Sequence, residues 1–175
     1  MLDEVVVYFD GGARGNPGPA AIGAVVLDPS SAPPVRLAAV SERIGETTNN
    51  VAEYRALIEG LKMALAYHPN RLICHLDSEL VVKQLNGEYQ VKVAALKPYV
   101  EEIRELAQEF ADIVFVHIPR EDNHRADALV NKALDELPDP SPHIPHTPKQ
   151  GSLFTNEPKS PGDLYREQHR QSPWH

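Results

Sequence analysis

Val5-Val6-Val7-Tyr8-Phe9-Asp10-Gly11-Gly12 decides the fold: five β-branched or aromatic residues run together and meet an acid followed by two glycines. A short, continuously apolar run bounded by turn formers reads as a buried strand, expected to stop in a turn at Asp10-Gly11-Gly12. Downstream, Ala20 to Leu27 and Val35 to Ser41 read as two more strands, separated by the Pro-rich turn Pro29 to Pro34. Connections this short favour an antiparallel meander. The period then changes. Tyr54, Leu57, Ile58, Leu61, Ala64 and Leu65 mark one face of a helix that begins near Asn50 and ends before Pro69. Leu72 to Leu76 is a fourth strand, and Ser78 to Leu85 a short helix closed by Asn86-Gly87. A longer helix carries Leu96, Val100, Ile103, Leu106 and Phe110; Ile113 to Ile118 is a fifth strand; a last helix runs from about Asn123 through Leu129, Val130, Ala133, Leu134 and Leu137. The order is βββαβααβα, an α/β chain whose three antiparallel strands come first.

With 175 residues, 42% of them hydrophobic, the chain buries one sizeable core rather than two. Half of the 16 prolines fall after residue 137, where periodic apolar pattern is sparse, so the expected organisation is a domain over 1–137 and a Pro-rich, disordered tail over 138–175. The single cysteine, Cys74, sits in an apolar run and reads as a core thiol. Met1-Leu2-Asp3-Glu4 lacks the basic and apolar regions of a signal peptide, and no later apolar run spans a bilayer. A cytoplasmic monomer with no membrane partner is expected. The formal charge of −8 argues against a protein that holds nucleic acid by a basic surface alone, but bound cations reverse the local field wherever carboxylates cluster.

Four carboxylates stand where a strand ends or a helix begins: Asp10, Glu53, Asp77 and Asp127. Each has a structural alternative. Asp10 suits a turn, Glu53 lies three residues after Asn50 as in a capping box, Asp77 or Ser78 suits a helix cap, and Asp127 suits a helix dipole. Jointly they read as a cage for hard divalent cations such as Mg²⁺, which take oxygen ligands and serve phosphodiester hydrolysis in pairs. The glycine-rich segment from Asp10 to Pro19 presents backbone N–H groups with Arg14 and Asn16 directly after a candidate ligand. It matches neither a P-loop nor a dinucleotide fingerprint, which disfavours a nucleotide cofactor. Thr47-Thr48-Asn49-Asn50 is a polar loop with a capping asparagine or, being just ahead of Glu53, a reader of ribose and phosphate.

Tyr8-Phe9-Asp10-Gly11-Gly12, Gly15-Asn16-Pro17-Gly18, Thr48-Asn49-Asn50-Val51-Ala52-Glu53, Asp77-Ser78 and Asn123-His124-Arg125-Ala126-Asp127, in this order, resemble ribonuclease H type 1 over roughly residues 3–137. The resemblance implies a five-stranded mixed sheet flanked by helices. It implies an endonuclease whose catalytic and metal-binding residues are Asp10, Glu53, Asp77 and Asp127, hydrolysing the RNA strand of an RNA/DNA hybrid to 5′-phosphate products with two Mg²⁺ or Mn²⁺ ions. Substrate contacts would come from Gly11, Gly12, Arg14, Asn16, Thr48, Asn49, Asn50 and Ser78. The 2′-hydroxyl selects the RNA strand.

Two departures from the family pattern stand out. Many members carry a histidine in a longer loop before the last carboxylate, whereas this loop is the short Pro119-Arg120-Glu121-Asp122-Asn123, leaving Arg120, Glu121 and His124 as candidates to assist proton transfer or product release. The basic, tryptophan-bearing insertion by which other members grip the hybrid is replaced by Asn86-Gly87-Glu88-Tyr89-Gln90-Val91-Lys92, which implies the short-handled branch and a weaker grip. In the tail, Gln150-Gly151-Ser152-Leu153-Phe154 resembles the peptide with which bacterial polymerases and repair factors dock on the sliding clamp, through Gln150, Leu153 and Phe154. Two other readings keep the fold: a hybrid-binding adaptor, against which the intact carboxylate set argues, and a nuclease acting on DNA, against which Thr48-Asn49-Asn50 and Gly11-Gly12 argue.

Overall fold

The computed structural model describes residues 2–136. The tail expected over 138–175, with its candidate clamp-binding residues Gln150, Leu153 and Phe154, lies outside the described residues. The elements are β1 (Glu4–Ala13), β2 (Gly18–Asp28), β3 (Val35–Thr47), α1 (Asn49–Leu65), β4 (Arg71–Leu76), α2 (Glu79–Leu85), α3 (Lys97–Gln108), β5 (Ile113–His117) and α4 (His124–Glu136). Short 3₁₀ turns at Ala94–Leu96 and Arg120–Asn123 lead into α3 and α4. The order is the one read from the sequence, and the five strands form one mixed sheet, β3-β2-β1-β4-β5.

The meander β1-β2-β3 is antiparallel, whereas β4 joins β1 and β5 joins β4 in parallel. Parallel pairing needs a crossover, and α1 supplies the first. It returns the chain to the far side of β1, so that β1 has an antiparallel neighbour on one flank and a parallel one on the other. The two faces of the sheet are covered unequally. Val5, Val7, Phe9, Ile22, Ala24 and Val26 pack into the main core with Tyr54, Leu57, Ile58 and Leu61 of α1 and Val100 and Ile103 of α3. On the opposite face, Ala21 packs with Val130 and Ala133 of α4. Period-2 alternation along β1 and β2 thus divides the strands between two helical layers. Cys74 is a buried free thiol of the main core, as expected.

Several boundaries differ from the sequence reading, each for a physical reason. β1 does not stop at Asp10: Asp10↔Gly23, Gly11↔Ile22, Gly12↔Ala21 and Ala13↔Ala20 continue the ladder, and the turn comes later, between Ala13 and Gly18. Glycine within a strand marks close approach of another backbone, and a Cβ on Gly11 would lie 2.2 Å from the carbonyl carbon of Ala52 in α1. β3 continues past Ser41 to Thr47 because β2 offers it partners as far as Gly18. α1 is capped by Thr48, whose Oγ1 accepts the Val51 N–H at 3.3 Å, not by Asn50. Leu96 belongs to the 3₁₀ turn ahead of α3 rather than to the helix. Among the described residues, no helix is long and apolar enough to cross a membrane.

Candidate active site

In open α/β sheets a site assembles at the carboxyl ends of the strands where the winding reverses, and here that point lies between β1 and β4. Their pairing ends at Tyr8↔His75. Beyond it β1 runs on through Asp10, while the chain leaves β4 at Leu76 and places Asp77 just before α2. Missing side chains at two positions let two helices bring the other carboxylates in. Gly11 admits the first turn of α1 and thereby sets Glu53 beside the strand. Gly23, where a Cβ would lie 2.5 Å from the Ala126 carbonyl oxygen, admits α4 and sets Asp127 over the same edge.

All four carboxylates line one opening of about 480 Å³, with Gly12, Arg14, Asn49 and Arg120 also on its walls. Burial first, then the charges of Asp77, Asp127 and Glu53, push the Asp10 carboxyl up to about 8, and the protonated group bonds to Asp127. Glu53 is raised to about 7, chiefly by burial and secondarily by Asp77, against the opposing effect of a Ser78 hydrogen bond. Among the described residues, no three His, Cys, Asp or Glu side chains already stand as an assembled ligand group. The carboxylates face one opening, and the charges of Asp77, Asp127 and Glu53 all act to hold the proton on Asp10. All-oxygen donors at a point of mutual repulsion fit a hard divalent cation, and Asp10, Glu53, Asp77 and Asp127 are the residues that would hold it.

The expected substrate contacts divide into three groups. Asn49 lines the opening, and its Oδ1 accepts the Ala13 N–H at 2.8 Å, so its amide NH₂ remains as a donor. Asn16 accepts the Asn49 N–H through Oδ1 at 3.1 Å, tying the glycine-rich turn to the start of α1. Arg14 is ion-paired with Asp135 of α4. Thr48 and Ser78 are helix caps, Ser78 accepting the Val81 N–H at 3.4 Å. Asn50 faces a separate groove of about 560 Å³, walled by Tyr54, Gln84, Tyr89, Val93 and Leu96. Of the three candidates for the missing loop histidine, Arg120 is at the site, its Nη2 4.0 Å from Asp127 Oδ1, whereas Glu121 and His124 are exposed and not on the walls of the opening.

Two asparagines escaped the sequence reading as site residues. Asn131 donates to Asp127 Oδ2 at 3.3 Å, a contact its spacing of four residues on a helix signals. Asn123 is fully buried and donates to both Phe9 O and Asp77 Oδ2; nothing in local sequence signals a contact across 114 residues.

This sheet order, with carboxylates gathered at the β1–β4 junction, defines the ribonuclease H-like class. A family profile described as reverse transcriptase-like matches residues 8–133. Ribonuclease HI of Halobacterium salinarum is 42% identical over 133 residues, covering 76% of this chain and 65% of that protein. Ribonuclease H of Hydrogenovibrio crunogenus is 33% identical over 154 residues, 78% of this chain and 99% of that protein. Among solved structures, LC11-RNase H1, crystallised in complex with an RNA/DNA hybrid, superposes with a TM-score of 0.68 at 45% identity over 75% of this chain and 97% of that one. The chain spans about a third (36%) of the length of mycobacterial relatives that are 43% identical to it. The chain belongs to the ribonuclease HI family.

Proposed function

We propose that this chain is an endonuclease that cleaves the RNA strand of RNA/DNA hybrids with divalent cations, leaving 5′-phosphate ends. The observation that carries the proposal is the convergence of Asp10, Glu53, Asp77 and Asp127 on one opening at the β1–β4 junction. Asp10, Glu53, Asp77 and Asp127 would hold a pair of Mg²⁺ or Mn²⁺ ions, which would supply an activated water and charge stabilisation at the leaving 3′ oxygen. Asn49, oriented by its bond to Ala13, directs its NH₂ toward a phosphate or ribose hydroxyl, and Arg120 brings a positive charge to the rim beside Asp127.

The groove beyond Asn50 offers the second strand an apolar and aromatic wall in place of a basic handle. Tyr89 is half exposed there, with Lys83 Nζ 5.0 Å from its ring centroid. Base or sugar stacking on an aromatic ring tolerates any sequence, which suits a non-specific nuclease. Outside the nuclease resemblance, residues 150–154 resemble a clamp-docking peptide and would recruit the chain to a bacterial sliding clamp; titration of a peptide spanning Pro148 to Asn156, with and without Leu153→Ala and Phe154→Ala, tests this, and equal signals from the two peptides, or none from either, refute it. A domain over 1–137, a monomeric state and a cytoplasmic location are proposed alongside it. The catalytic proposal is tested by Mg²⁺ titration of cleavage for the wild type, Glu53→Gln and Asp77→Asn. Both variants should lose cleavage at every Mg²⁺ concentration; full activity in either one refutes the four-carboxylate assignment.

A further inference from the structure

We propose that Asn123 is a positioning residue: its amide fixes the Asp77 carboxylate and the end of β1 in the arrangement that takes a divalent cation. The inference rests on the hydrolytic reading above. Asn123 closes the 3₁₀ turn before α4 and is entirely buried. One NH₂ group serves two acceptors on different elements, Phe9 O in β1 at 2.8 Å and Asp77 Oδ2 after β4 at 3.0 Å. These bonds form where β1 and β4 part, Phe9 being one residue and Asp77 two residues past the last paired position, Tyr8↔His75. The amide thus replaces the missing rung of the ladder and joins the three elements that carry Asp10, Asp77 and Asp127.

The orientation of the amide is dictated by chemistry. A carbonyl and a carboxylate accept only, so turning the group over would set its oxygen against two acceptors. The consequence is that Oδ1 is buried without a hydrogen-bond partner among the described residues. Leaving a buried acceptor unsatisfied is unfavourable, and the arrangement persists because the two donors are both used. With Oδ2 engaged by Asn123, the Asp77 carboxylate has one oxygen fixed in direction, and its rotation toward or away from the opening is arrested. Partners of ligating carboxylates act in this way on metal affinity.

The test uses the full chain with Asn123→Ser, Asn123→Ala and Asn123→Asp. Ser retains one short donor, Ala none, and Asp replaces both donors with acceptors at unchanged shape. Folding is read from melts in EDTA, and metal binding from the half-point of a Mn²⁺ titration without substrate, followed by the electron paramagnetic resonance signal of free Mn²⁺. The expected order of affinity is Asn, Ser, Ala, Asp, with the half-point moved on the order of tenfold or more in Ala. Cleavage at saturating Mn²⁺ should show a lower kcat and a KM for hybrid within about twofold of wild type, the pattern of an interaction made in the transition state. Lower melting temperatures with an unmoved Mn²⁺ half-point in every variant that folds, Ser included, would overturn the inference. A wild type that neither cleaves hybrid nor responds to Mn²⁺ would overturn the hydrolytic reading, and this inference with it.

Discussion

Asp10→Asn should abolish cleavage and yet stabilise the metal-free protein. The Asp10 carboxyl is raised from 3.8 to about 8 by burial and by the charges of Asp77, Asp127 and Glu53. A carboxyl whose folded value lies above its unfolded one favours the protein fully at low pH, and that advantage is lost as pH rises from about 4 through about 8. At pH 7 the unfolded chain has released this proton while the metal-free fold still holds it, a difference of roughly three pH units, or about 4 kcal/mol at about 1.4 kcal/mol per unit. Glu53, raised to about 7 by burial and then by Asp77, relieves part of the same repulsion by taking up its own proton. About 2 kcal/mol is therefore expected from the substitution, or a melting temperature higher by about 8 °C for a domain of this size. Asn keeps the shape and has no proton to lose. Melts in EDTA from pH 4 to 8.5 should show the two proteins nearly equal at pH 4 and steadily diverging above it. Added Mg²⁺ should shrink the gap, because only the wild type gains full binding free energy. A pH-independent difference, or a variant less stable than wild type at pH 8, refutes the electrostatic argument.

Gly11→Ala should fail to fold stably, because its Cβ would meet the Ala52 carbonyl at 2.2 Å and force α1 off β1; a melting temperature within a few degrees of wild type would contradict this. Thr48→Ala should lower stability by about 1 kcal/mol through loss of the α1 cap with little change in kinetics, whereas Asn49→Ala should raise KM for hybrid more than it lowers the melting temperature; equal effects on both readouts would erase the distinction. Tyr89→Ala should raise KM for hybrid several-fold and leave kcat near wild type, while Tyr89→Phe should retain affinity, since the ring supplies the contact. Arg120→Ala, judged by steady-state kinetics, should reduce kcat, whereas His124→Ala should not; the reverse would place the proton-handling or product-release group at His124.

The order of elements was legible because each strand is a short apolar run and each helix a clear change of period, from Val5-Val6-Val7 to the face of Tyr54, Leu57, Ile58 and Leu61. The end of β1 was not. Asp10-Gly11-Gly12 has turn chemistry, and only the ladder with β2 and the approach of Ala52 show that these glycines serve a packed strand instead. The carboxylates are legible as a set because each reads in sequence as standing at an element boundary, although Asp10 lies within β1; their convergence depends on Gly11 and Gly23 admitting α1 and α4, which is a property of packing. The caps are half legible: at α2 the sequence offers Asp77 or Ser78 and the cap is Ser78, whereas at α1 it points to Asn50 and the cap is Thr48, two residues earlier. The role of Asn123 is not legible in its motif, because its partners, Phe9 in β1 and Asp77 just after β4, are distant in sequence.

The most direct test of the account is one gel, in which the protein is incubated with end-labelled RNA/DNA hybrid, duplex DNA and duplex RNA of the same sequence, with Mg²⁺ and with EDTA. The expected result is Mg²⁺-dependent cutting of the RNA strand in the hybrid, fragments with 5′-phosphate ends and an intact DNA strand. Cutting of duplex DNA as fast as hybrid, or hybrid cleavage undiminished in EDTA, would contradict it.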